Sequence, residues 1–428
     1  MPAEGILKLA PQKVSARAYR KIAYFVLFAL LCAFTLSTCD GGDIAPLFLS
    51  GCILCLAAAV FSWPLHKRIT PERITPGFPG TCLLVMTGYG VLQTLFSPQK
   101  ILSYSWTGVI FWFTAAAITC FATRLLRTPR EASYFRLLFI IFATGVCLLD
   151  LLEQASQTNK YFWLFPSRYH AIFGPFAYWN NFAEFVELSL PVTLWRGLGS
   201  RRPDIPFLLC AAVQLGAVVA SGSRAGTVLV ILELIFVIAL TYGRNRNKAL
   251  LLGCGLAVLL SVVFVYAAGF ETLIARLQQN DQLAVRRNID KSSIAMIRAR
   301  PLTGWGLDSY VPVYRMFARY DDGTYVNRAH NDWLQWAAEG GIFFSGAMVA
   351  ILLWSIRPAI RSGWGIGLIA VCIHALVDYP FARFGVCGWY FCLLGMLTAA
   401  RLHQRAQESR EIRASSAPFG LRPASSQL

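Results

Sequence analysis

Long runs of apolar residues, separated by short polar segments, recur along most of this 428-residue chain. Each run is close to the ~20 residues that an α-helix needs to cross ~30 Å of hydrocarbon. Backbone groups in lipid must find their hydrogen bonds within their own segment, so the runs predict helices. The expected fold is an all-α, polytopic membrane protein with about twelve transmembrane helices, at residues 22–39, 44–63, 80–97, 104–123, 133–152, 177–197, 205–220, 226–243, 249–269, 332–356, 363–380 and 384–401.

Composition supports this class, because 56% hydrophobic and only 14% charged residues exclude a soluble globular protein of this length. A net charge of +17 would suit a nucleic-acid partner. The cations are instead scattered through short loops, mostly on one side if both termini are cytoplasmic, as the positive-inside rule requires. We therefore expect membrane lipids, and no nucleic acid, around the chain.

The spans divide the chain into five segments. Residues 1–21 form a cytoplasmic N-terminal segment, 22–269 hold the first nine spans, 270–331 form a long external loop, 332–401 hold the last three spans, and 402–428 form a disordered cytoplasmic tail. The long loop contains a helix-like stretch at 290–300 and a turn at 301–306. Its amphipathic parts are expected to rest on the outer membrane boundary.

The segment "RAHNDWLQWAAEGG" (328–341) puts polar residues at the start of a predicted span. Asp332 and Gln335 resemble a capping box, which predicts a helix beginning here with its free N–H groups facing the external side. Such an end attracts anions and disfavours imidazolium. His330 is therefore a candidate proton acceptor.

Three residues of the same helix, Asn331, Gln335 and Glu339, recur every fourth position and form one polar stripe. A stripe of this kind must face protein or a wet cavity. We interpret these residues as cavity-lining or supporting groups.

Arginines near the external side are candidate anion ligands. Arg224 lies in the small-residue turn "SGSRAG", and Arg286 and Arg287 precede the loop helix. Guanidinium forks suit phosphate oxygens, so two or three together could neutralise a diphosphate without a metal. Snorkelling is the structural alternative for Arg224. Arg298 and Arg300 fall near a helix C-terminus, where cations are favourable for structural reasons alone.

A further polar group lies at membrane depth, at Asn180, Asn181, Glu184 and Glu187. These residues fit either hydrogen bonds between helices or the lining of a polar cavity. His374 and Asp378, four residues apart, are interpreted as a satisfied buried pair. The sequence shows no familiar metal-binding motif, so no metal site is expected.

Taken in order, five stretches between residues 173 and 381 resemble the O-antigen ligase and polymerase superfamily of bacterial envelope glycosyltransferases. They are "GPFAYWNNFAEFVELSLP", "SGSRAG", "RRNIDKSSIAMIRARPLTGWGLDSY", "AHNDWLQWAAEGG" and "HALVDYPF". The first five predicted spans contribute only hydrophobicity to this resemblance.

The resemblance implies a GT-C-like fold and transfer of a glycan from undecaprenyl diphosphate at the periplasmic side of the inner membrane, without a cofactor. By position, His330 corresponds to the essential loop histidine, Arg224 to the arginine at the outer end of a span, and Arg286 to the loop arginine. The ligase pattern is met at His330, Asn331 and Gly341, whereas Phe344 departs from it. That departure weakens the choice of ligase over polymerase.

The expected reaction is metal-independent, inverting transfer of O-antigen to a lipid A-core acceptor. A repeat-unit polymerase and a protein O-oligosaccharyltransferase stay open as alternatives that differ in acceptor. A secondary transporter or flippase, from a different class, would show paired broken helices and ion-coupling acids in the membrane centre. Here the charged groups gather at one face.

Overall fold

A computed structural model describes residues 16–40, 76–96, 102–167, 172–200, 202–244, 251–263, 266, 282–318 and 325–415. This part of the chain is almost entirely helical. In chain order its helices are α1 Ala16–Leu36, α2 Gly77–Phe96, α3 Leu102–Leu125, α4 Pro129–Ser156, α5 Trp179–Leu198, α6 Ile205–Ser221, α7 Arg224–Arg244, α8 Leu251–Val263, α9 Gln282–Ala299, α10 Tyr310–Phe317, α11 Asp332–Ser362, α12 Ile366–His374 and α13 Phe384–Ser415.

Short elements complete the described fold. The 3₁₀ turns Ser37–Asp40 and Pro380–Ala382 follow α1 and precede α13. A two-stranded antiparallel ribbon pairs β1 (Lys160–Tyr161) with β2 (Phe165–Pro166).

Within the described residues, five helices are long and apolar enough to cross a membrane, namely the segments Tyr104–Leu125, Pro129–Ser156, Arg224–Arg244, Asp332–Ser362 and Phe384–Ser409. Lys21–Leu36, Ile205–Ser221 and Leu251–Val263 are shorter apolar helices. The expected all-α membrane class is confirmed at this level. The predicted span at 44–63 lies outside the described residues, and the count of twelve stays a prediction.

Two predicted segments are corrected. The helix predicted at 363–380 is shorter than expected, because α12 has only nine residues and ends at His374. At ~1.5 Å per residue such a helix covers roughly half of the hydrocarbon core. The tail predicted to be disordered from residue 402 is helical up to Ser415, because α13 continues past its apolar part.

Helix α5 lies at the centre of the bundle and is buried along most of its length. It packs against α6, α7, α12 and α13. Aromatic rings fill the core around Trp389 of α13, whose indole stacks on Phe139 of α4 with ring centroids 4.2 Å apart. Because α5 is surrounded by protein, its polar side chains have to be satisfied by neighbouring helices and not by lipid.

Helix α11 begins at Asp332, as predicted, but its cap differs from the predicted one. The N-cap is Asn331, whose Oδ1 accepts a hydrogen bond from the Leu334 N–H at 3.1 Å. The Asp332 carboxylate instead accepts from the Phe381 N–H at 2.9 Å. Asp332 therefore joins the start of α11 to the turn before α13.

A break at Gly341 interrupts α11, with φ 67° and ψ −165°. The predicted turn at 301–306 docks into this break through the main chain. Trp305 N–H donates to the Ala338 carbonyl at 3.0 Å, and Ile342 N–H donates to the Pro301 carbonyl at 3.0 Å. The turn thus supplies hydrogen bonds that an unbroken helix would have made internally.

Two glycines permit this docking. A Cβ on Gly304 would collide with the Glu339 carbonyl, and one on Gly341 would collide with the Leu302 carbonyl. Both residues also have positive φ, a region that L side chains rarely adopt. The turn "PLTGWG" and the end of "WAAEGG" therefore form one unit, although they are far apart in sequence.

We expect Gly341→Ala to destabilise the protein by about 1–3 kcal/mol, since alanine at this φ and ψ is strained and clashes with the docked turn. Gly346→Ala is the matched control. Gly346 lies in the same helix with open space at its Cβ position, so alanine there should be neutral or slightly stabilising. The apparent melting temperature in detergent measures both effects, and an equal effect of the two substitutions would contradict the docking geometry.

Candidate functional site

Asp378 is the centre around which distant segments meet. It lies in the non-helical stretch after α12, and its side chain is fully buried. Its carboxylate accepts hydrogen bonds from the Tyr379 N–H at 2.9 Å and from the Asn180 side-chain amide of α5. Arg286 Nη2 lies 3.8 Å from Asp378 Oδ2, and His330 Nδ1 lies 3.8 Å from Oδ1. One carboxylate is thus shared by four segments of the chain.

Arg286 approaches Asp378 from α9 and is held by further contacts. Its Nη1 donates to the Val377 carbonyl at 2.9 Å, and its Nη2 lies 3.4 Å from the Tyr178 hydroxyl. The side chain is still 26% exposed, so part of the guanidinium faces outward. Arg287, the next residue, is exposed and has no ion pair or hydrogen bond in the described part of the chain.

His330 has an unusual backbone conformation, with φ of 51°. Non-glycine residues seldom occupy this left-handed region, and such outliers cluster at functional sites. The imidazole meets the Tyr379 ring edge-on, with centroids 4.9 Å apart. Nδ1 is buried and has no hydrogen-bond partner among the described residues.

Asp290 adds a second carboxyl group near these residues. It lies one turn after Arg286 on α9 and is partly buried. Burial raises the pKa of Asp290, and the nearby Arg286 and His330 partly counteract that rise. The site therefore has a second acidic group close to Arg286 and His330.

The turn that carries Arg224 is connected to Asp378 by hydrogen bonds through the side chain of Asn180. Ser223 Oγ donates to Asn180 Oδ1 at 2.7 Å, and Asn180 in turn binds Asp378. Ser223 Oγ also accepts from the Gly226 N–H at 3.2 Å, at the start of α7. Arg224 itself is half-buried and has no hydrogen bond or ion pair among the described residues. Its guanidinium is free to meet an external anion.

A second polar layer lies beside Asp378 inside the bundle. His374 Nδ1 is 2.6 Å from Glu187 Oε1, and Asn181 Nδ2 donates to Glu184 Oε2 at 2.9 Å. His374 and Asp378 are both buried, as predicted, but they form their hydrogen bonds with α5 and not with each other, His374 with Glu187 and Asp378 with Asn180. Asn181 and Glu187 take part in this layer as supporting groups.

Glu184, His374 and Asp378 form the one group among the described residues whose donor atoms could hold a metal ion. These atoms lie within 4.8 Å of one another, and all three residues are buried. Glu184 Oε1 and His374 Nε2, 4.0 Å apart, have no hydrogen-bond partner. Sequence analysis paired His374 with Asp378 but missed Glu184, which lies about 190 residues earlier in the chain.

Two residues of the polar stripe on α11 fasten the loop that follows α9. The Glu339 carboxylate accepts from the Asp308 N–H at 2.9 Å and from the Tyr310 N–H at 3.3 Å. Gln335 Nε2 donates to Glu339 Oε1 at 3.0 Å. These contacts make Gln335 and Glu339 supporting groups that fix the position of the loop.

A cavity of about 420 Å³ lies beside the first turns of α11. Arg328, paired with Asp308 at 3.1 Å, lies in its wall together with Asp332. Its remaining lining consists of Tyr104, Thr107, Gly108, Phe111, Trp112, Val311, Asn327, Gln335, Trp336, Glu339, Phe381, Ala382 and Arg383. His330, Arg224 and Arg286 do not line it. The Asp332 N–H donates to the Asp378 carbonyl at 3.2 Å, so the cavity and the Asp378 centre share the start of α11.

The structure thus brings together three of the predicted site residues, His330, Arg286 and Asn180. It places Arg224 one residue from a serine that joins the same network. The role of Asp378 was missed, although Pro380 two residues later signals a break that exposes a polar group to other segments. Arg328 and Asp308 were missed because no local pattern marks them.

Comparisons with known proteins bear on the same region. Residues 209–349 match the family model described as O-Antigen ligase. The matched segment includes Arg224, Arg286 and His330, and it ends before Asp378. No curated protein matches the chain.

Proposed function

We propose that this chain, whose residues 209–349 match the family model described as O-Antigen ligase, transfers O-antigen polysaccharide from undecaprenyl diphosphate to a lipid A-core acceptor. The observation that carries the proposal is the convergence of His330 and Arg286 on the buried carboxylate of Asp378. A basic group that can take a proton and a cation that can bind phosphate thereby lie side by side. The reaction needs these two functions.

Arg286, Arg224 and Arg287 bind the diphosphate in this proposal. Arg286 is oriented by Asp378 and the Val377 carbonyl, yet keeps an exposed face. Arg224 and Arg287 have no partner in the described part of the chain, so their charges are available. The cations offset the negative charge that grows on the leaving diphosphate, and fixed charges of this kind usually contribute the most to such a step.

His330 acts as the general base. Nδ1 lies 3.8 Å from Asp378, and a neutral imidazole that carries its hydrogen on Nδ1 keeps the Nε2 lone pair for the acceptor hydroxyl. The hydroxyl gives its proton to Nε2, its oxygen bonds to the anomeric carbon, and the bond from that carbon to the diphosphate oxygen breaks. A single displacement without a protein nucleophile inverts the anomeric centre.

The cavity beside α11 suits the saccharide part of a substrate. Its walls combine flat aromatic rings, such as Trp112, with charged groups such as Arg328. Rings of this kind pack on the apolar faces of sugars, and the charged groups can bind hydroxyls. Asp332 lies in the wall of this cavity, and its N–H donates to the Asp378 carbonyl. The cavity therefore adjoins the proposed site of transfer.

The proposed site lies on the periplasmic side of the bacterial inner membrane, with both termini cytoplasmic. Support comes from the distribution of cations, which concentrates arginines where the last turns of α11 lie beside the middle of α13, away from His330. Long loops translocate largely regardless of charge, so the basic segment 270–331 is compatible with this orientation.

The acceptor distinguishes a ligase from a polymerase or a protein O-oligosaccharyltransferase. Phe344, which departs from the ligase pattern, is 1% exposed and packs against Trp112 with ring centroids 4.8 Å apart. Its departure concerns core packing, so it has little weight against a ligase.

For a transporter, the break at Gly341 would have to be an ion site, but the docked turn at 301–306 already fills it.

Gel analysis of lipopolysaccharide tests the activity and the acceptor together. A strain lacking the gene should accumulate lipid-linked polymer and bare core, and the wild-type gene should restore the polymer-bearing lipid. His330→Ala should fail to restore it, because loss of a general base typically slows transfer ~10²- to 10⁴-fold. His403→Ala, at an exposed position of α13, is the control and should restore it fully. Core bearing a single repeat in the deletion strain would instead indicate a polymerase, and full restoration by His330→Ala would remove His330 from the mechanism.

Asp378→Asn tests the shared carboxylate, because it keeps the shape and removes the charge that orients His330 and Arg286. We expect kcat for glycan transfer to fall by up to ~10⁴-fold, the effect that loss of an orienting carboxylate has in a serine-protease triad. Asp204→Asn, which removes a half-exposed ion pair with Arg196, should leave the rate unchanged. The apparent melting temperature checks that both variants are folded. A wild-type rate in folded Asp378→Asn would contradict the proposed role.

Chelation tests the proposal of metal-independent transfer. Prolonged dialysis against EDTA should leave the transfer rate of the purified protein within twofold of its starting value, because the arginines supply the positive charge. A lost rate that returns with a divalent cation would contradict this, and would assign the ion to Glu184, His374 and Asp378.

A further inference from the structure

Four arginines cluster where the last turns of α11 lie beside the middle of α13, away from His330. Arg357 and Arg361 are one turn apart on α11, and Arg401 and Arg405 are one turn apart on α13. The four side chains line a cavity of about 330 Å³ between the two helices. At ~1.5 Å per residue, Arg357 lies roughly 35 Å along α11 from Asp332. The cluster is therefore separate from the site described above.

This cluster lacks compensating charge within the described chain. Glu408 is the one carboxylate in the cavity wall. None of the four arginines forms an ion pair in the part of the chain that the structure describes. Like charges at i and i+4 repel one another, and two such pairs face each other here. An anion between the helices would relieve this repulsion.

The surroundings indicate that the anion is part of a lipid. Along α11, Val349 and Leu353 precede Arg357 and Arg361 at four-residue intervals, so they share one helix face. Both are exposed, at 41% and 63%. One strip of the helix thus passes from an apolar surface to a cationic one, which matches an acyl chain followed by a phosphate. A site for a soluble anion would not need the apolar part.

An aromatic residue marks the depth of the cluster. The Arg401 guanidinium lies over the Trp354 ring, 5.1 Å from its centroid. Trp354 also stacks on Phe78 of α2, with centroids 6.3 Å apart. Tryptophan is enriched where the hydrocarbon core meets the headgroups. The guanidiniums are consequently at the level of lipid phosphates.

We propose that this arginine cluster, formed by Arg357, Arg361, Arg401 and Arg405, is a binding site for an anionic phospholipid with two phosphates, of the cardiolipin class. Each pair of arginines one turn apart binds one phosphate, and the strip at Val349 and Leu353 receives an acyl chain. Basic pockets between membrane helices bind headgroups of this kind through the same chemistry. The site is independent of the proposed transfer reaction.

Native mass spectrometry of the delipidated, full-length protein in detergent tests the proposal. Cardiolipin should bind with a lower Kd than phosphatidylethanolamine, which has no net charge. Arg361→Gln/Arg405→Gln should weaken cardiolipin binding roughly 10- to 30-fold, as expected from the loss of two charges at a membrane surface. Arg357→Gln/Arg401→Gln is an independent second pair with the same expected effect.

The matched control is Arg130→Gln/Arg202→Gln, which removes two exposed arginines outside the cluster. It should leave the Kd within twofold of the wild-type value. Inorganic diphosphate should not displace the lipid. Unchanged binding in both cluster variants, an equal loss in the control, or displacement by diphosphate at concentrations comparable to those of the lipid would each overturn the proposal.

Discussion

A carboxylate cut off from water has to find its counter-charge and its hydrogen bonds within the protein. Asp378 is such a group, and its partners Asn180, Arg286 and His330 come from three other segments of the chain. Leaving a buried charge without its partner costs about 3–5 kcal/mol, which is a large share of the stability of a protein. The need to satisfy this one carboxylate therefore holds α5, α9 and the start of α11 together.

Two interruptions of helices make that meeting possible. The chain leaves the helical path after His374, which frees the backbone around Asp378 to bind other segments. It leaves the path again at Gly341, where the turn at 301–306 docks and fixes the loop that follows α9. Irregular backbone within a bundle is tolerated where neighbouring protein satisfies it, and in both places it does. The loop segment is consequently held at two places, by Arg286 at Asp378 and by the turn 301–306 at Gly341.

Hydrophobic runs predicted the helices correctly where the apolar run and the helix end at nearly the same residue. The predicted 205–220 and 226–243 correspond to Ile205–Ser221 and Arg224–Arg244. The end of α12 at His374 was not predictable from hydropathy, because the apolar residues Ala375, Leu376 and Val377 follow it directly. Sequence motifs identified His330, Arg286 and Asn180 as site residues, but they did not identify Asp378, the carboxylate at which the three meet. Asp378 and Asn180 are 198 positions apart, and no local pattern encodes such a contact.

The most direct test of this account is a cryo-electron microscopy structure of the full chain with undecaprenyl diphosphate bound. The account predicts a diphosphate in contact with the exposed face of Arg286 and with Arg224, and His330 Nε2 open toward the position of the first sugar. Asp378 should remain between Arg286 and His330. A diphosphate bound away from both arginines, or a His330 ring turned from Asp378 toward the lipid, would contradict it.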